Sequence, residues 1–326
     1  MTTPTTPVPL LAVEDLSVEF RTRDGVVRAL DGVSLTVGRG ETVGVVGESG
    51  SGKSVTALAI LGILHPAARV TSGRAVFGGL DLLRAGEHQL REYRGRELSM
   101  IFQNPRTALN PIRPVGRQIE DVLRRHANLP SAHVRERAIA LLARVQIADP
   151  ARAYHAYPFE LSGGMCQRVM IALAVACSPA LLIADEPTTG LDVTTQAAIL
   201  ELIEELAAAT RMAMILITHD LALAGERCHR IMVMHAGHVV ETAPTAELFA
   251  SPRHPYTARL IASTPRPRAT LDDLRPIPGA VPDLRGTLSP CRYRSRCERA
   301  ITACDDPPLP RLAVGAEHTV ACRVPL

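Results

Sequence analysis

The sequence is nearly without lysine: of its 36 basic residues, Lys53 alone is a lysine and the other 35 are arginines. A GC-rich genome accounts for such a bias, and it singles out the one lysine retained. Net charge is almost absent as well. At +3 the total gives no support to a general electrostatic role on nucleic acid or a membrane surface. Nor is there a long hydrophobic run. The longest apolar stretch, from Val169 to Ala184, contains Ser178 and Pro179 and is bounded by Arg168 and Asp185. It is too short and too interrupted to span a bilayer as a helix. The opening MTTPTTPVPL has neither a basic n-region nor an apolar h-region, so no secretory leader is expected and the chain reads as cytosolic or peripherally bound. In a reducing compartment its seven cysteines are not expected to form a disulfide framework.

What is present is a 326-residue chain, 46% hydrophobic, with mean hydropathy near zero. That balance fits about two soluble domains and excludes disorder, collagen and coiled coil. Residues 252–326 differ from the rest, holding 12 of the 25 prolines and 12 arginines against 7 acidic residues. Residues 11–20 and 27–37 alternate apolar and polar side chains and predict an antiparallel pair of strands. Short apolar strands are expected at 42–46, 73–77, 98–102, 180–184 and 213–218, with late strands at 230–234 and 238–241. Helical spacing marks 53 to about 64, much of 105–156, a helix from near Ser162, and 195–209. Apolar strands alternating with helices predict an α/β fold with a parallel sheet covered on both faces. After Ser251 the periodicity fades into loop-like chain.

Two segments carry chemistry. Gly47-Glu48-Ser49-Gly50-Ser51-Gly52-Lys53-Ser54 matches G-x-x-x-x-G-K-[ST], between a strand and a helix. Its glycines let backbone N–H groups converge on phosphate oxygens, and the helix start adds its positive end. In such a P-loop Lys53 reaches the β- and γ-phosphates and Ser54 holds Mg²⁺. A compact ammonium suits that position better than a guanidinium fork. The second segment, Leu181 to Pro187, is an apolar strand ending in Asp185 and Glu186. Asp185 fits the Mg²⁺ carboxylate of a P-loop NTPase, and Glu186 can polarise the attacking water.

Leu161-Ser162-Gly163-Gly164-Met165-Cys166-Gln167-Arg168 then resembles the LSGGQ-type signature of the ATP-binding cassette (ABC) ATPases. Cys166 departs from the Gln or basic residue usual at the signature's end, outside the Ser162-Gly163-Gly164 core. The resemblance implies that Ser162, Gly163, Gly164 and Gln167 face the γ-phosphate of a nucleotide held by a partner subunit. Gln103, in Ile101-Phe102-Gln103-Asn104-Pro105, resembles the Q-loop glutamine that touches Mg²⁺. Gly190-Leu191-Asp192 resembles the D-loop, and His219 the switch histidine on the γ-phosphate. Phe20 would stack on adenine. The implied fold is a P-loop core with an antiparallel β subdomain and an inserted helical subdomain at about 105–177, the whole nucleotide-binding domain spanning 8–251.

In the tail, His254-Pro255-Tyr256-Thr257, Arg259-Leu260 and Pro265 resemble the HPYT extension of ATPases serving oligopeptide, dipeptide and nickel importers. Phe102 to Pro105, with Leu109-Asn110-Pro111, is similar to the FQDP…LNP pattern of that group. The tail's Cys291, Cys297, Cys304 and Cys322 form C-x5-C-x6-C-x17-C. Four thiolates clustered in a Pro-rich segment read as a metal staple. Zinc knuckles use C-x2-4-C pairs, which are absent, and wider spacing suits an iron–sulfur cluster. Related peptide-importer ATPases carry a similar pattern, which in some holds a [4Fe–4S] cluster, so the resemblance implies such a cluster here, with Zn²⁺ and free thiols as alternatives. Arg292, Arg294, Arg296 and Arg299 could offset a cluster's negative charge.

The resemblance implies the ATP-hydrolysing subunit of a dipeptide or oligopeptide importer, at the cytoplasmic face of the inner membrane. Its partners would be two integral-membrane permease subunits and, indirectly, an extracytoplasmic binding protein. The stretch SGSGKSV is similar to the "D" type of paired ATPases, implying a second, different ATPase chain. A nickel importer is the same machine with other cargo. Non-transport ABC ATPases acting on DNA or the ribosome carry paired cassettes, coiled coils or basic inserts, none of which the sequence has, and no nucleic-acid partner is expected.

Overall fold

A computed structural model describes residues 8–264 and 276–326. The first seven residues lie outside these, as does Pro265 of the HPYT-type extension. Two compact units account for the described chain. The first takes in the residues up to Gly38, Thr42–Arg84 and the chain from Leu216 onward; the second takes in Arg39–Glu41 and Ala85–Ile215.

In the first unit, β1 (Leu11–Thr22) pairs antiparallel with β2 (Gly25–Val37) and β4 (Ala68–Phe77), and β5 (Leu80–Asp81) edges β4. The alternating pattern buries Leu11, Val13, Leu16 and Val18. It skips a residue after Val13 because β1 bulges there, with Asp15 at φ 46. Across the bulge Gly73 adopts φ 100, and a Cβ on it would stand 2.6 Å from Leu16 Cα. Both strands run further than the sequence pattern predicts, because Thr22 Oγ1 donates to the Gly25 carbonyl at 2.7 Å and closes a tight turn.

The same unit holds β3 (Thr42–Val46), buried along its whole length and parallel to β9 (Arg230–His235). Continuous burial is what an apolar strand without alternation requires. Ala236 and Gly237, both at positive φ, turn β9 into the antiparallel β10 (His238–Pro244). Helix α1 (Lys53–Ile60) ends four residues short of the expected Leu64. Gly62, at φ 65, closes it, with Gly62 N–H on the Ala59 carbonyl and Ile63 N–H on Leu58. Helices α9 (Leu221–Arg227), α10 (Thr245–Ala250) and α11 (Pro255–Ala262) also belong here.

The tail is more ordered than its fading periodicity implies. His254 caps α11 by accepting the Tyr256 N–H on Nδ1. Strand β12 (Thr319–Val320) adds to β10, and β11 (Leu312–Ala313) adds to β12. These strands are two residues long, too short for any periodicity to register. Glu241 in β10 ties the pieces together. It is 1% exposed, accepts the Arg253 and His254 N–H groups, and lies 2.7 Å from His318 Nε2.

The second unit contains α2 (Glu87–Tyr93), β6 (Leu98–Ile101), α3 (Pro105–Ala108), α4 (Val115–His126), α5 (Ser131–Arg144), α6 (Pro150–His155), α7 (Gly163–Val175), β7 (Leu181–Asp185) and α8 (Val193–Thr210). Strands β6 and β7 are parallel and fully buried. Strand β8 (Ala213–Thr218) carries the chain onward into the first unit. Ile119, Leu123, Val134, Ala138, Leu141 and Leu142 face inward from α4 and α5. Below them the Tyr154 ring packs so closely on Gly116 that a Cβ there would overlap it at 2.1 Å. The Tyr154 hydroxyl donates to buried Glu120, which also receives Arg117 at 2.8 Å and Arg124 at 3.0 Å.

Candidate active site

The phosphate loop runs from the buried end of β3 to the first residue of α1. Gly47, Gly50 and Gly52 take φ of 152°, 77° and 103°, conformations that side-chain-bearing residues avoid. A Cβ on Gly47 would lie 2.1 Å from the Met234 carbonyl oxygen, and one on Gly52 would lie 2.6 Å from Leu30 Cδ2. A Cβ on Gly50 would meet nothing within 4 Å. Lys53 is 6% exposed and donates to the carbonyls of Gly47 at 2.8 Å and Glu48 at 3.0 Å. Ser51 Oγ is buried without a hydrogen-bond partner among the described residues. Ser49 lies in the same turn, and Ser54, half-buried, follows Lys53 in α1. A concave loop of amides with an ammonium at its base is an anion cradle, and these residues fit a nucleotide phosphate.

His219 and Phe20 belong to the same unit. His219 is exposed just past β8, where Asp220 caps α9 by accepting the Leu223 N–H. Phe20 is half-buried in β1, opposite Val27 and Ala68.

Within the second unit the acidic strand end and the glutamine come together. Asp185 closes β7 at 5% exposure. Glu186 follows at φ 46, a left-handed turn that swings its carboxylate off the strand. Its Oε2 accepts Gln103 Nε2 at 2.8 Å and Thr189 Oγ1 at 2.9 Å. A carboxylate oriented by two donors is well placed to act on a water. The Thr189 contact was not legible beforehand, though its place three residues after Glu186 in a turn is the signal that could have found it.

Ser162 caps α7 by accepting the Met165 N–H, so Gly163 and Gly164 open a helix whose N–H groups face outward. Gln167 is buried and donates to the Pro187 carbonyl at 2.6 Å. It therefore holds the turn after the acidic strand, whereas the motif alone assigned it to nucleotide. Cys166 is buried and donates to the Pro158 carbonyl. Asp192 caps α8 with both oxygens on Thr195, and those bonds lower its pKa.

In the tail, Cys291, Cys304 and Cys322 are buried and Cys297 half-buried, and none is in a disulfide. Burial pushes the Cys291 thiol up to about 11, with smaller contributions from Cys304, Cys322 and Cys297. The four sulfurs thus lie within electrostatic reach of one another. Among the described residues no group of three or more His, Cys, Asp or Glu is placed to hold a metal ion, these cysteines included. The arginines expected to offset a cluster's charge are mostly engaged elsewhere. Arg292 pairs with Asp31, Arg294 with Asp305 and Arg296 with Glu48. Burial raises the Cys297 and Cys322 thiols, and of the four arginines Arg299 opposes that rise. Carboxylates within reach outcompete neutral thiols for a guanidinium.

A strand–glycine loop–helix, a capped Ser-Gly-Gly helix start and a strand ending in Asp-Glu define an ATP-binding cassette. The structure aligns at a TM-score of 0.65 with the dimeric post-hydrolysis state of the ATP-binding cassette MJ0796 bound to ADP and Pi, at 26% identity over 72% of this chain and 98% of that one. It aligns at 0.61 with cbiO1 from Clostridium perfringens, at 30% identity over 74% and 91%. Residues 30–189 match the family described as ABC transporter, and residues 240–304 match the oligopeptide/dipeptide transporter C-terminal region. Among curated relatives, the probable peptide ABC transporter ATP-binding protein y4tR of Sinorhizobium fredii is 49% identical over 96% of this chain and 94% of its own. The dipeptide transport ATP-binding protein DppD of Escherichia coli is 47% identical over 97% of both. The chain belongs to the ATP-binding proteins of peptide-type ABC transporters.

Proposed function

We propose that this chain hydrolyses ATP to drive uptake of dipeptides or oligopeptides through separate membrane subunits. The observation that carries the peptide-type reading is the bond from the Glu48 N–H of the phosphate loop to Tyr256 Oη of the HPYT segment, at 3.0 Å. It ties the tail that distinguishes this branch to the loop that would hold nucleotide. No helix among the described residues is long and apolar enough to cross a membrane, so the path for cargo must be supplied by partners.

In this reading the amides of Gly50 to Ser54 and the Lys53 ammonium receive the phosphates, with Phe20 against the base. Ser54, Gln103 and Asp185 would serve Mg²⁺, which when bound would neutralise phosphate charge. Glu186 accepts a proton from the attacking water, and His219 contacts the γ-phosphate. Ser162, Gly163 and Gly164 offer a helix start to the nucleotide of a second ATPase chain, which the SGSGKSV stretch implies is a different one. Residues 8–251 would be the nucleotide-binding domain, with the helical subdomain at about 105–177, and 252–326 its extension.

A cavity of about 660 Å³ in the second unit, lined by Ile147, Asp149, Arg152, His155, Glu160 and Arg168 among others, supports docking of a permease helix there. Phe159 beside it is 75% exposed and stacks on Tyr157. Docking of this kind would place the chain at the cytoplasmic face of the inner membrane.

Four free cysteines in the C-x5-C-x6-C-x17-C pattern would be the ligands of a [4Fe–4S] cluster; the support is their spacing along the chain, since the described residues as placed form no metal-holding group. When bound, it would supply a covalent staple for a weakly cored segment and a redox-sensitive group. Cys291, Cys297, Cys304 and Cys322 would have to give up their protons to hold it. Iron, sulfide and zinc content of anaerobically purified protein tests this. Stoichiometric iron and sulfide are expected, and zinc alone or no metal overturns it. The transport reading is tested by capturing the tagged chain from its own membranes and by peptide-stimulated ATP hydrolysis in reconstituted vesicles. Permease subunits should co-purify. Capture of ribosomes or nucleic acid instead, or stimulation by nickel and not by peptide, would refute it.

A further inference from the structure

Glu48 occupies a position that the P-loop pattern leaves open, yet every polar group it has is engaged. Its N–H donates to Tyr256 Oη at 3.0 Å. Its carbonyl receives Lys53 Nζ at 3.0 Å and the Ser51 N–H at 3.2 Å. Its carboxylate takes both terminal nitrogens of Arg296, at 2.7 and 3.0 Å. Arg296 is itself built in. Its side chain is 2% exposed, and its Nε donates to the Pro278 carbonyl at 2.7 Å. One terminal nitrogen also lies 3.1 Å from His235 Nε2.

The segment that carries Arg296 runs from Cys291 to Cys297 and is keyed to the nucleotide-binding unit at a second point. Arg292 pairs with Asp31 at 2.8 Å and donates to the Ala236 and Arg28 carbonyls. Between the two arginines the Tyr293 ring packs on His235 at 5.3 Å and on Tyr256 at 5.2 Å. A 3-10 turn over Arg294–Arg296 fixes their spacing. A chain with only five tyrosines places two of them here.

We propose that the Cys291–Cys297 segment positions the phosphate loop: Arg296 and Tyr256 clamp Glu48, and thereby hold the loop amides and Lys53 in the form that receives a phosphate. The inference rests on the reading of this loop as the nucleotide site. Two physical effects make the clamp matter. The Tyr256 bond and the Lys53 bond act on the same peptide residue from opposite sides, so the backbone that sets the cradle is fixed at both its N–H and its C=O. The fork of Arg296 also neutralises a carboxylate that would otherwise stand uncompensated one residue from the anion-binding turn. Any event at the cysteines that disorders the segment would then be felt as weaker nucleotide binding.

The test is the equilibrium affinity of the full-length chain for ATP–Mg²⁺, read with a fluorescent ATP analogue, for wild type, R296Q, Y256F, E48Q and E48Q/R296Q. R296Q should weaken binding about tenfold, by exposing the Glu48 charge and freeing the loop. Y256F, which keeps the ring, should weaken it about threefold. E48Q/R296Q should recover part of the R296Q loss but not all of it, because the uncompensated carboxylate is gone while the loop stays unclamped. A merely structural arginine predicts no such recovery. In steady state the R296Q defect should fall on KM for ATP rather than on kcat. Should R296Q fail to melt cooperatively, the isosteric Y256F decides. R296Q or Y256F within about twofold of wild type, or a double variant no better than R296Q, overturns the clamp. Wild type failing to bind ATP, or K53A binding as well as wild type, would instead overturn the nucleotide-site reading on which it rests.

Discussion

A methyl group placed on Gly47 and one placed on Gly50 should have very different consequences, although the two lie three residues apart in one loop. Both glycines sit at positive φ, so each alanine carries backbone strain of about 1–3 kcal/mol. At Gly50 that is the whole cost, since the new Cβ meets nothing within 4 Å. At Gly47 the Cβ would stand 2.1 Å from the Met234 carbonyl oxygen and 2.9 Å from Ser51 Oγ, more than an ångström inside ordinary contact for the first. Met234 cannot give way easily. It lies in β9, which is paired with β3 on one side and with β10 on the other. Overpacking against fixed backbone adds about 1–3 kcal/mol. Gly47→Ala should therefore lose roughly 2–6 kcal/mol of folding stability and Gly50→Ala roughly 1–3 kcal/mol, with Gly47→Ala the worse by at least about 1 kcal/mol. Urea melts of the nucleotide-free chain measure this directly, because bound nucleotide would add its own stabilisation. Equal losses, or a larger loss at Gly50, would refute the reasoning that the Met234 carbonyl forms the wall of the loop.

Further outcomes follow from the same geometry. Glu186→Gln should retain ATP binding while kcat falls about 10²- to 10⁴-fold, and undiminished turnover would remove Glu186 as the base. Tyr154→Phe takes one of three partners from the buried Glu120 carboxylate and should cost about 1–3 kcal/mol in a urea melt, and a change lost in the error would show that the two arginines suffice. Acidification should destabilise the first unit. Burial presses His235 down to about 4 and His254 to about 3, from an ordinary value of 6.5. Between about pH 6.5 and pH 4 the unfolded chain then holds more protons than the folded one, so stability is present above 6.5 and lost as pH falls. The melting midpoint should drop from pH 7.5 to pH 5, and less so in His254→Asn, whose amide oxygen can still cap α11. A midpoint that is flat or rises on acidification would contradict this.

Much of the chemistry was readable along the chain because its parts are contiguous. Eight residues from Gly47 to Ser54 must keep their register for amides to converge on one phosphate, and a buried strand must end at Asp185 before Glu186 can turn off it. Phosphate loop, acidic strand end and capped helix start each need only local backbone geometry, and local geometry is written in neighbouring residue types. Gln167 shows the limit of a motif read alone. It sits in the signature, yet its side chain is buried on the Pro187 carbonyl. The tail shows a second limit. Two-residue strands carry no period, so nothing in 311–321 announced that β12 would extend β10.

The clamp on Glu48 was decided by tertiary structure. Arg296 lies 248 residues from Glu48, and Tyr256 lies 208 away. Neither the open position in the P-loop pattern nor the arginines between cysteines named a partner. Composition pointed those arginines at thiols, and three of the four went to carboxylates instead. By itself the sequence determined the phosphate-loop pattern and the acidic strand end, because those require a fixed local spacing. Which distant charge would hold them in place depended on how the chain packs, because an ion pair is chosen by proximity and by shared burial, and neither is encoded by any one segment.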